Sequence, residues 1–134
     1  MRKGVLPVVL LAIVLLLGSW AYSLSSKTRT GISAVKAILV QNCALAGCHR
    51  ASVSPPAANL DLGTGRFPAS VLDVPSSQIQ GKLVDTKSPE KSYLLAKIKG
   101  TAGIVGDRMP LNRTPLNDTQ IQEVETWINS LKSQ

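Results

Sequence analysis

Rings, imidazole and sulfur are scarce in this sequence. Aromatic residues make up 4% of its 134 positions, with one Phe, and there are one His and two Cys. Without aromatics interleaved among the basic residues, the chain does not read as a nucleic-acid binder. A structural zinc takes four ligands, usually Cys and His, and the two Cys and one His supply three. There is no internal repeat, and Val, Ile and Thr between the glycines are too sparse to support strands. Acid is scarce too: 8 Asp and Glu stand against 15 Lys and Arg, a net charge of +7. Such a surface favours acidic partners or anionic lipid. With so few large rings, the core of a small domain is short of volume.

What is present begins with an export pattern. Arg2 and Lys3 precede an apolar run from Val5 to Leu17, and Ala21-Tyr22-Ser23 offers small residues at the spacing of a cleavage site. The stretch also reads as an uncleaved anchor. From Val5 to Tyr22, at about 1.5 Å rise per residue, it spans about 27 Å, just short of a hydrocarbon core. Trp20 and Tyr22 would then lie at the outer interface, with Arg2 and Lys3 inside. Both readings place the rest outside the cytoplasm, periplasmic or in the cell envelope, either soluble or membrane-associated through residues 5–22. No Cys lies near the end of the run, which excludes a lipid-modified N-terminal cysteine. Residues 1–23 are a signal peptide or anchor, 24–31 a polar linker, and 32–134 one small domain.

Within that domain the periodicity predicts helices. Ile32, Val35, Ile38 and Leu39 recur at helical spacing over residues 32–42. Ser88-Pro89-Glu90 has the form of a helix start, followed by the apolar Tyr93, Leu94, Ala96 and Ile98 and a stop at Gly100. Lys97 and Lys99 fall in its last turn, where the helix dipole favours cations. Asn117 with Gln120 forms a capping box before the stripe Ile121, Val124, Ile128 and Leu131, flanked by Trp127. Between helices, residues 50–88 are rich in Pro and Gly, with an ordered turn expected at 59–63. The fold class is all-α.

The densest chemistry lies at the end of the first helix. Cys43-Ala-Leu-Ala-Gly-Cys48-His49 holds both thiols and the only imidazole. Two thiols followed at once by His are the arrangement that fixes haem covalently, by two thioethers and an iron–imidazole bond. The usual spacing leaves two residues between the thiols, and here there are four, three of them small and one of those a glycine that permits a tight bulge. A buried porphyrin would also supply the missing core volume. The competing account is a Cys43–Cys48 disulfide in an oxidising compartment, with His49 a bystander.

If His49 binds iron, Met109 is the candidate for the other axial position, because it is the one thioether outside the leader. It sits in Gly106-Asp107-Arg108-Met109-Pro110, where Pro110 biases it towards extended backbone. The alternatives are a Lys ligand, an open site, or a Met that only packs on apolar neighbours. Softer candidates for haem contact are Leu62, Arg108 through its planar fork to a propionate, Trp127 and Tyr93; a solvated Arg and a core Trp are the bland accounts. Glu123 and Glu125 read as solvated helix faces.

On these residues the chain resembles a c-type cytochrome. It is similar in particular to single-haem domains with a Cys-x4-Cys-His site in exported bacterial cytochromes, the planctomycete-type domains among them. The elements that carry the likeness are the 32–42 helix, Cys43 to Arg50, Asn59-Leu60-Asp61-Leu62, Ser88 to Leu94, Asp107-Arg108-Met109-Pro110, and the closing helix with Trp127-Ile128. The resemblance implies a cytochrome c-like fold of about three main helices around one covalent haem c, with terminal helices crossing beside it. It also implies thioethers at Cys43 and Cys48 and axial ligands His49 and Met109. The function expected is electron transfer outside the cytoplasm, by Fe(III)/Fe(II) cycling with redox proteins that present acidic docking surfaces. The sequence offers no acid–base residue for catalysis at iron, so no enzyme activity is expected. The rivals are a haem sensor or peroxidase-like protein with an open distal site, and a haem-free exported disulfide domain.

Overall fold

The computed structural model describes residues 31–51, 55–63 and 65–133. The leader or anchor and all but the last residue of the expected linker lie outside the described residues. Among those described, no helix is long and apolar enough to cross a membrane.

The regular elements are helical. The α1 helix occupies residues 31–42, α2 Tyr93–Lys99 and α3 Asp118–Ser130, with 3-10 turns at Ala57–Asn59, Pro89–Lys91 and Leu131–Ser133. Among the described residues there are isolated bridges, Leu72 with Val84 and Pro75 with Lys82, and no strand. The all-α class is therefore observed.

Each helix delivers its apolar stripe to one core. From α1 come Val35, Leu39 and, one turn on, Cys43; from α2 Leu94, Leu95 and Ile98; from α3 Val124, Trp127 and Ile128. Leu62, Phe67, Val71 and Val84 from the long 50–88 segment complete the cluster. The Phe67 and Trp127 rings meet at 5.2 Å and 51°, within the range of favourable aromatic pairs. Burying side chains of this size is worth about 1.5–3 kcal/mol each.

The capping box on α3 forms on both sides. The Gln120 amide donates to Asn117 Oδ1 at 2.9 Å, and the Asn117 amide donates to Gln120 Oε1 at 3.1 Å. The second helix departs from the expected start at Ser88. Pro89–Lys91 is a separate 3-10 turn, and the chain extends at Ser92 before α2 begins at Tyr93. The reason is competition for backbone groups. The Tyr93 and Leu94 amides donate to Lys82 O and Leu83 O at 3.0 and 2.9 Å, and the buried Ser92 hydroxyl accepts from the Asp85 amide at 3.0 Å. The first two satisfy orphan donors of the first turn, and all three lock α2 to the 82–85 segment. At its other end Gly100 takes φ +71 and donates to Ala96 O, a left-handed C-cap. A Cβ there would lie 2.8 Å from Arg108 Cδ.

Candidate functional site: a cavity shared by Cys43, His49 and Met109

The loop after α1 is closed by its own first carbonyl. Cys43 O accepts from the Leu45 amide at 2.9 Å and from the His49 amide at 3.1 Å, while Cys48 N donates to Leu45 O at 3.0 Å. Gly47 takes φ +77 inside this bulge, a conformation most side chains avoid. The four extra-thiol residues are thus folded into a short ring whose ends, Cys43 and His49, are hydrogen-bonded neighbours. The segment beyond holds the ring in place, with Ala57 N on Cys48 O at 2.9 Å and Leu62 N on His49 O at 2.8 Å.

His49 is oriented by one further bond. Its Nδ1 lies 3.0 Å from Ala57 O. A carbonyl only accepts, so Nδ1 is the donor, and in the neutral ring the lone pair stands on Nε2. A ligating His is commonly fixed in this way, its second nitrogen donating to a backbone carbonyl. Burial lowers the imidazole pKa, backbone hydrogen bonding at Ala57 and Leu60 opposes the shift, and the nearby Lys97 ammonium adds to it. The neutral ring is the form that can bind a metal. Next along the chain, Ala58 and Asn59 take φ 52 and 59.

A cavity of about 550 Å³ opens beside this imidazole, within the usual range for a cofactor site. Cys43, His49, Leu60 and Leu62 line one part of it; Ser70 and residues 74–78 another; Tyr93, Leu94, Lys97 and Ile98 of α2 a third; and Met109 enters from the loop after α2. The wall also carries an orphan. Ser70 Oγ is buried without a hydrogen-bond partner.

Of the residues singled out in the sequence, Cys43, His49, Leu62 and Met109 share this wall, together with Tyr93. Cys48, Arg108 and Trp127 are not on it. Cys48 is half-buried and free, in the bulge next to His49. Arg108 folds over Gly100 and donates from Nε to Ile98 O at 2.8 Å, which places its fork at the end of α2. Trp127 is packed in the core against Phe67. Glu125, expected in solvent, pairs with Lys99 Nζ at 2.7 Å and ties α3 to α2. Cys43 is buried, and burial pushes its thiol up to about 11, with the neighbouring Cys48 adding to the rise.

Comparison with known proteins finds no matching family model, no matching curated protein and no matching solved structure.

Lys97 is the residue whose burial sequence reasoning missed. The sequence reading placed it only in the last turn as a cation favoured by the dipole; the side chain is buried, with Nζ donating to Val105 O at 2.9 Å and Asp107 O at 2.6 Å. The signal was there: Lys97 stands four residues after Tyr93 and three after Leu94, on the apolar stripe of α2. No comparable pattern marks Ser70.

Proposed function

We propose that the chain is a single-haem c-type cytochrome that carries one electron at a time outside the cytoplasm. The observation that carries this reading is the shared cavity: the Cys43 thiol and the His49 imidazole, from one loop and with Nδ1 committed to Ala57 O, meet the Met109 thioether from another in one largely apolar space. The Cys43, His49 and Met109 donors and the size of the space fit a haem c. Bound there, a haem would supply a one-electron Fe(III)/Fe(II) couple. Cys43, on the wall, and Cys48, in the bulge next to His49, would hold the haem through thioether links. His49 would hold iron through Nε2 while Ala57 O fixes the ring. Met109 would supply a thioether ligand, which raises the potential.

On this reading the Lys97 ammonium and the Tyr93 hydroxyl are occupied with backbone and Gln78. That engagement supports an electron carrier rather than an enzyme. The net charge of +7 supports a redox partner with an acidic docking face, and the apolar leader supports a periplasmic or membrane-anchored location.

The test is the optical spectrum of protein matured in a periplasm with haem-ligation machinery, oxidised and reduced, before and after acid–acetone extraction. Haem that resists extraction, with the weak long-wavelength band of sulfur–iron ligation in the oxidised form, is expected. Met109→Ala should keep the haem attached, lose that band, lower the potential and admit carbon monoxide. Attached haem without the band in the unaltered protein would move the reading to an open-site sensor or peroxidase. Protein that matures without haem would overturn it and leave an exported domain with a Cys43–Cys48 disulfide.

A further inference from the structure

We propose that Lys97 is a positioning residue that grips the 105–109 loop at both ends and thereby holds Met109 on the cavity wall. The inference rests on the haem reading above and assigns a role within that site.

The grip has three points, all from one residue. The side chain reaches Val105 O and Asp107 O through Nζ, and the Lys97 carbonyl accepts from the Met109 amide at 2.9 Å. A buried ammonium is costly unless its donors are satisfied. Among the described residues no carboxylate pairs with Lys97, so carbonyl dipoles of the loop carry the compensation. If the loop left, the ammonium would lose both bonds, and the side chain and the loop therefore stabilise one another in this position. One turn earlier on α2, Tyr93 Oη accepts from the Val105 amide at 2.9 Å and donates to Gln78 Oε1 at 3.1 Å. That contact fixes the near end of the loop and connects it to Gln78, which also lines the cavity. Gly106, at φ +69, gives the chain the sharp turn that lets the two carbonyls converge on one nitrogen. Lys97 itself lines the cavity and lies close enough to His49 to act on it electrostatically. Its charge would therefore also act on the iron and favour the ferrous form.

The experiment compares the haem-loaded unaltered protein with Lys97→Met, Lys97→Arg and, as control, Lys99→Met, which removes only the ion pair to Glu125. Lys97→Met keeps the stem and deletes the donors. It is expected to retain the covalent haem and lose the sulfur–iron band, with a lower potential and carbon monoxide binding absent from the parent. Lys97→Arg should restore the band, and Lys99→Met should leave it intact. A band and potential unchanged in Lys97→Met would overturn the role of Lys97 while leaving the cytochrome reading in place. Absence of attached haem in the unaltered protein would overturn the cytochrome reading itself.

Should Lys97→Met fail to accumulate, nitrogen–proton correlation spectra of the unaltered protein decide the matter. One lysine ammonium protected from solvent exchange is expected, with contacts to the 105–107 backbone. Solvent-rate exchange for every lysine ammonium would overturn the proposal.

Discussion

At the scale of single residues, the two cysteines are chemically unequal although only four residues separate them. Cys43 follows α1 directly and lies inside the core, where burial pushes its thiol up to about 11; Cys48 stands in the bulge, half-buried. The thiolate is the reactive form, so in haem-free, reduced protein a small alkylating reagent is expected to modify Cys48 first. Cys43, reached only through the cavity and with its thiol held up, should follow more slowly, and mass spectrometry of timed samples checks the order. Equal rates would mean that Cys43 is not packed as described. The motif itself was legible, because both thiols and the imidazole are adjacent in sequence. That the thiols differ was not, since burial of Cys43 depends on Leu39 one turn back and on contacts from distant segments.

At the scale of elements, local rules served where backbone groups are satisfied locally and failed where they are satisfied across the fold. Asn117 and Gln120 exchange hydrogen bonds within one turn, so the start of α3 could be read from four residues. Asn117→Ala is expected to cost about 1 kcal/mol, measured as a lower urea midpoint with unchanged slope. The start of α2 obeyed a different constraint. Ser88 makes no side-chain cap bond, because Lys82, Leu83 and Asp85 engage the chain from Ser92 to Leu94. Lys97 follows the same pattern. Its position near a helix C-terminus favours exposure on local grounds, and the loop carbonyls that bury it are visible only in the folded chain.

At the scale of the whole molecule, the irregular 65–88 segment is pinned by a polar cluster on the outside as well as by the core within. Asp73 accepts from Lys82 and from the Thr86 hydroxyl, and Asp85 receives the Lys87 and Ser88 amides. The Lys82 bond, followed by that of Thr86, holds the Asp73 carboxyl down to about 2. Its folded value lies below the ordinary value of about 4. Its contribution is therefore fully present above about pH 4 and lost as pH falls through about 2. Asp73→Asn keeps the shape and tolerates the left-handed backbone of φ 54. The unaltered protein should exceed it in urea midpoint near pH 6, with the gap closing towards pH 2. A gap that persists there would assign the difference to something other than the carboxylate charge.

The sequence by itself determined the helices with strong stripes, the capping box, and the compact set of Cys43, Cys48 and His49, because each is written in residues within a turn or two of one another. Only the tertiary structure decided which distant groups join that set. Leu62 is brought to one cavity by its amide on His49 O, and Met109 and Lys97 by the bonds between α2 and the loop after it, while Trp127 and Arg108 are drawn to Phe67 and to the end of α2. Spacing along a chain fixes neighbours within an element. Which elements meet depends on burying the stripes of all three helices together, and that choice also placed the wall of the cavity.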